Sequence, residues 1–196
     1  MQRKYSFLPI ALIISVTVLL GSGCTPKARR ERLLQTADGH YLAGEYDQAE
    51  VEYLNVLKDD RGNPRAVVRL GLIYTEQGRI GPAIGYLRAG HTLVPEDLEV
   101  RYRLGQIQRS MGNLKEAQTE ASYILEHRPQ DPEAPMLLAA TISGPAEVET
   151  IRARLLALPA PAPTGAPVQV ALAMIEARQG HLKECEALCQ IGRAHV

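Results

Sequence analysis

His181, Cys185 and Cys189 lie at i, i+4 and i+8, so a helix through them aligns one imidazole and two thiols on a single face, a donor set of the kind that holds zinc. The same spacing suits a packing stripe in which cysteine acts as a small apolar residue, and that reading is preferred, so no metal is assigned. An i,i+4 helical disulfide fits the geometry of the bond poorly. His40, His91 and His127 have neither a paired nucleophile nor a second ligand at useful spacing. Gly-x-Ser-x-Gly, a phosphate loop ending in Lys-Ser/Thr, and His-Glu-x-x-His do not occur. The chain is therefore read as non-enzymatic, with no cofactor and no small-molecule substrate. A different chemistry is offered by Arg65, Arg69, Arg103 and Arg109, because a guanidinium group binds carboxylates bidentately.

Composition narrows the partners. The 196 residues carry 22 Lys+Arg against 22 Asp+Glu, which leaves no charge excess to drive phosphate binding, so nucleic acid is excluded. Aromatics are 5%, with no Trp and one Phe, too few for a base-stacking platform. A hydrophobic share of 45% with 22% charged residues is a globular balance, and the core must come from Leu, Ile, Val, Ala and a few Tyr. Three cysteines cannot form a disulfide framework.

The first residues read as an address. Arg3 and Lys4 precede an apolar run, Phe7–Leu20, and then Gly21-Ser22-Gly23-Cys24. This Leu20-Gly-Ser-Gly-Cys24 ending resembles the lipobox of bacterial lipoproteins, with Leu20 one residue further from the cysteine than usual. The resemblance implies a signal peptide over residues 1–23, removed before a lipidated Cys24, and acyl chains that hold the protein on a membrane. Thr25 follows the cysteine rather than the Asp of inner-membrane retention, so the periplasmic face of the outer membrane is favoured. Two alternatives stay open: an ordinary cleaved signal, or an uncleaved inner-membrane helix, since the uncharged stretch spans about 33 Å. Cleavage removes two cations and no acid, taking the net charge from zero to −2.

Elements that could position the arginines emerge from a repeat. Gly44, Gly78 and Gly112 are 34 residues apart, as are Ala49, Ala83 and Ala117; Leu70-Gly71 recurs as Leu104-Gly105, and Pro95 as Pro129. Within a period, Val67, Leu70, Gly71 and Tyr74, then Ile80, Ala83, Ile84 and Leu87, fall at helical spacing. The pattern resembles the tetratricopeptide repeat, a helix–turn–helix unit with Leu-Gly at places 7–8, Gly at 15, Ala at 20 and Pro at 32. The resemblance implies an all-α solenoid of antiparallel helix pairs in which each hairpin covers its neighbour's apolar face around a concave groove. A tether, 24–29, leads into repeats at 30–63, 64–97 and 98–131, a degenerate fourth at 132–165, and an incomplete fifth at 166–190.

Gly144-Pro145 is expected to end the fourth repeat's first helix early. The Pro-rich stretch 159–167 is either a stiff linker or a long loop inside the array, the preserved phase favouring the loop. Residues 191–196 show no helical periodicity, and Ile191-Gly-Arg-Ala-His-Val196 resembles a reading frame of a common sequencing adapter. They are expected to be a non-native tail on a fragment of a longer protein.

First-helix places 2, 5, 6, 9, 12 and 13 face the groove in this family. The resemblance thus assigns a peptide-binding set of Arg65, Arg69, Leu72, Tyr102, Arg103, Gln106 and Arg109, with Arg69 and Arg103 as a ladder for ligand carboxylates. The expected function is a membrane-anchored scaffold for protein–protein interaction in envelope assembly: outer-membrane assembly, pilus or secretin biogenesis, or exopolysaccharide export. Two other classes remain: the docking region of a longer enzyme, and a sensor with an uncleaved N-terminal helix.

Overall fold

A computed structural model describes residues 25–194; the expected signal peptide, 1–23, and Cys24 lie outside them. Among the described residues there are ten α-helices and no strand. They are α1 (Pro26–Leu42), α2 (Tyr46–Asp59), α3 (Pro64–Glu76), α4 (Ile80–Leu93), α5 (Leu98–Ser110), α6 (Leu114–His127), α7 (Ala134–Ala140), α8 (Pro145–Leu156), α9 (Ala166–Gln179) and α10 (Leu182–Ala194). None is long and apolar enough to cross a membrane. Backbone packing divides the described residues into two compact units, one running through Arg69 and the other from Leu70.

In the first unit, Thr25 caps α1 by accepting the Ala28 amide at 3.2 Å, with Pro26 opening the helix, where its missing N–H costs nothing. Leu34 and Ala37 of α1 pack with Ala49, Tyr53 and Val56 of α2, all but Leu34 wholly buried. In the second unit the hairpin of α3 and α4 closes through Leu70, Ile73, Ala83 and Leu87, and that of α5 and α6 through Val100, Leu104, Ala117 and Ile124. Leu137, Leu138, Ile151, Leu155, Leu172 and Ile175 continue one apolar cluster through α7, α8 and α9. The small residue at place 8 sets how near these helices come. A Cβ on Gly71 would sit 2.9 Å from Leu87 Cδ2 and 3.1 Å from the Leu87 backbone nitrogen. Even one methyl group at Gly71 forces α3 and α4 apart.

The turn between the helices of a pair is built the same way four times. Gly44, Gly78, Gly112 and Gly180 have φ of 75°, 69°, 80° and 80°, the left-handed region that a side chain resists. Beyond each glycine an amide donates to the carbonyl five residues back: Glu45 to His40, Arg79 to Tyr74, Asn113 to Gln108 and His181 to Glu176, at 2.8–3.0 Å. The side chains of those same residues also meet. His40 Nδ1 lies 2.5 Å from Glu45 Oε2, and the Arg79 guanidinium sits 4.4 Å from the centre of the Tyr74 ring. Asn113 Nδ2 donates to Gln108 Oε1 at 2.8 Å, and His181 Nδ1 lies 2.9 Å from Glu176 Oε2. Places 11 and 16 are thus clasped across every such turn, by an imidazole–carboxylate contact, a cation–π contact, an amide pair, and an imidazole–carboxylate contact with its members exchanged.

The fourth repeat has Ala146 where that glycine would fall, and it turns differently. Helix α7 stops after seven residues, and Gly144-Pro145 starts α8 directly. The Pro-rich stretch is a loop packed inside the second unit: Ala162 is buried in a 3₁₀ turn, and Gln169 Nε2 donates to the Pro163 carbonyl at 2.7 Å. Helix α10 extends to Ala194, four residues into the segment without visible periodicity. Adding a turn to a helix already nucleated needs little from the side chains.

Candidate functional site

Each arginine read as a groove residue already has a partner, or stands apart from the ladder. In the first unit the Arg65 guanidinium pairs with Asp38 and lies 3.8 Å from Glu31. Arg69 lies over the Tyr41 ring, 4.4 Å from its centre. In the second unit Arg103 is gripped by Glu99 and Glu76, each at 2.8 Å, and Arg109 is exposed. A ladder of guanidinium groups open to ligand carboxylates is therefore not what these positions present. Both grips reach back 27 residues, Asp38 to Arg65 and Glu76 to Arg103, from one helix pair to the next. Leu72 is 5% exposed and belongs to the core rather than to a ligand face.

Arg101, two residues from Arg103, has the opposite fate because a helix turns about 200° over that step. It is 8% exposed, donates from Nε to the Pro95 carbonyl at 2.6 Å and from Nη1 to Glu120 at 2.7 Å, and stacks 3.4 Å over the Tyr123 ring. The part-buried Glu120 carboxylate also lies 3.7 Å from His91, so side chains of α4, α5 and α6 converge on it. Arg101 thus ties α5 to α6 and to the loop before α5, and period and spacing did not single it out.

What remains open to a partner is a stripe on the first helices of the second unit. Tyr102, Met136 and Val170 occupy one place of the repeat in α5, α7 and α9; Gln106, Ala140 and Met174 occupy the place one turn on. All six are half-buried. Gln106 Nε2 donates to the Tyr102 hydroxyl at 2.9 Å. Burial, and then the neighbouring Glu133 carboxylate, raise the Tyr102 pKa, so its hydroxyl stays protonated and fixed in place.

Elsewhere the chemistry is absorbed by the structure. His181 is taken by Glu176, and Arg152 binds the same carboxylate, which holds Glu176 below the usual carboxylate range. Cys185 and Cys189 are half-buried free thiols, and burial followed by the Cys189 thiol pushes Cys185 up, away from the reactive thiolate. Among the described residues no group of three His, Cys, Asp or Glu side chains is arranged to hold a metal. A cavity of about 340 Å³ lies beside Pro129, Asp131, Pro161 and Val168. The Asp131 carboxylate there already caps α7, accepting the amides of Glu133 and Ala134 at 3.0 and 2.8 Å.

Residues 76–141 match the tetratricopeptide repeat family model. No protein of curated function matches the chain. Among solved structures, MamA from Desulfovibrio magneticus RS-1 superposes with a TM-score of 0.67 at 15% identity, covering 84% of this chain and 93% of that one. Another MamA crystal structure gives 0.67 at 18% identity, covering 83% and 89%. MamA of strain AMB-1 gives 0.65 at 18%, covering 86% and 92%. At such identities the likeness concerns the fold. Period, turn geometry, family model and superposition agree, and the chain is an α-solenoid of tetratricopeptide repeats, an architecture that serves as a scaffold for protein–protein interaction.

Proposed function

We propose that this chain is a membrane-anchored scaffold that holds segments of other proteins on its first-helix face and so assists assembly of a bacterial envelope system. The observation that carries the reading is the half-buried stripe of Tyr102, Met136 and Val170, one residue from each of three successive repeats. Such a row offers a partner apolar contact without leaving a large apolar patch in water. The anchor rests on Leu20–Cys24, which would place the chain on the periplasmic face of the outer membrane, or on the inner membrane if the leader stays uncleaved. The candidate systems are outer-membrane assembly, pilus or secretin biogenesis, and exopolysaccharide export. The chain itself performs no catalysis in this reading.

The test combines fatty-acid labelling with cross-linking in intact cells. Wild type should take up label, sediment with membranes and cross-link to one or a few envelope proteins. Cys24→Ser should lose the label. Label retained by Cys24→Ser overturns the anchor, and a wild-type chain that cross-links to nothing overturns the scaffold.

A further inference from the structure

We infer that the face formed by α5, α7 and α9 accepts an amphipathic helix with a cationic edge, its apolar side on Tyr102, Met136, Val170 and Met174 and its lysines or arginines beside Glu99 and Glu133. This rests on the scaffold reading and specifies the partner's chemistry.

Charge decides the sign. At the N-terminal end of these first helices Glu99 and Glu133 stand beside Tyr102, and Glu76 reaches the same place from α3. The Glu76 and Glu99 side chains are 38% and 49% exposed. One guanidinium group, Arg103, faces these three carboxylates, is 27% exposed, and is already engaged by two of them. An acidic segment would have to strip Arg103 from both partners while lying against Glu133. A cationic edge meets the surplus carboxylates directly. Apart from Arg103, positive charge stands at the other end, with Arg109 in the last turn of α5 and Arg178, whose guanidinium donates to the Ala139 and Ile142 carbonyls, in the last turn of α9. The face therefore has an acidic margin, an apolar floor and a basic margin, which also sets the orientation of the bound segment.

Spacing decides the shape. Neighbouring packed helices lie about 8–10 Å apart, and a helix advances about 10.5 Å in seven residues. Apolar residues at i, i+7 and i+14 of a partner helix thus fall on successive repeats. Methionine suits such a floor because its unbranched thioether adapts to different side chains, and two of the chain's four methionines, Met136 and Met174, are in it.

The probe is a synthetic three-heptad helical peptide with leucines on one face and lysines along one edge. It is compared with a glutamate-edged version and with a lysine peptide of scrambled order, each titrated against the immobilised full-length chain. The lysine helix should bind at least about tenfold more tightly than either control. Met136→Asp with Met174→Asp should weaken it by a similar factor, and Glu99→Lys with Glu133→Lys should reverse the preference toward the glutamate helix. The charge-reversal pair lies on exposed positions, so it keeps the test decisive if the methionine variant unfolds. Equal binding of the scrambled peptide, or a lysine preference that survives charge reversal, overturns the inference. Cross-links formed in cells would survive that failure, so loss of the inference and loss of the scaffold are told apart.

Discussion

Arg101→Ala should lower stability by about 3 kcal/mol, read from urea unfolding followed by helicity. The loss does not come from the attraction of Arg101 to Glu120 alone. Removing the guanidinium leaves the Pro95 carbonyl and the Glu120 carboxylate without the donors they have at 2.6 and 2.7 Å, and uncovers the Tyr123 ring. A part-buried carboxylate deprived of its cation is the costly item. Arg103→Ala is the matched control. It removes two ion pairs from a half-buried site where water replaces them, so it should cost under about 1 kcal/mol. If the two variants are equally destabilised, Arg101 is not the tie between α5, α6 and the loop at Pro95. Glu120→Gln should itself cost stability in wild type, where it leaves the Arg101 cation unpaired, yet soften the Arg101→Ala loss, because the stranded carboxylate is then gone.

Stability should also fall between pH 10 and 12, and Tyr53→Phe should remove that part of the fall. Tyr53 is wholly buried, donates to Asp38 at 2.5 Å, and has its pKa pushed up to about 12, chiefly by burial, with the Arg69 charge opposing. The folded pKa lies above the unfolded one, so the folded chain keeps the phenolic proton at a pH where the unfolded chain has lost it. The contribution is complete below pH 10 and disappears as pH rises through about 12. Two pH units correspond to about 3 kcal/mol. Other tyrosines and lysines titrate in the same range, so the informative quantity is the wild-type profile minus that of Tyr53→Phe. The variant should be less stable at neutral pH, having lost the Asp38 bond, and flatter above pH 10. Parallel profiles would show that the phenol ionises as easily folded as unfolded.

The repeat could be read from the chain because backbone geometry allows few substitutes at the positions that mark it. A left-handed turn favours glycine at Gly44, Gly78, Gly112 and Gly180, and close helix approach favours a small residue at Gly71 or Ala83. The clasp across the same turn could not be read, because His40–Glu45, Tyr74–Arg79, Gln108–Asn113 and Glu176–His181 share a geometry and no residue type. The arginine ladder shows a related limit. Register puts Arg69 and Arg103 on first helices, α3 and α5, but whether a guanidinium is available depends on what stands beside it. For Arg103 that is Glu76, 27 residues away, and for Arg69 the Tyr41 ring. Arg101 and Arg103 are two residues apart, yet Arg101 turns toward Glu120 and Tyr123 of its own helix pair while Arg103 turns toward Glu76 of the preceding one.

The central claim is that the half-buried face of the first helices is where this protein meets its partner. A photo-reactive amino acid placed at Met136 in the full chain in living cells tests it, with the same group at exposed Thr92 on the second helix of another repeat as the reference. The account predicts discrete cross-linked proteins from position 136 and none from position 92. Equal yields from both positions, or a product from position 92 alone, would contradict it.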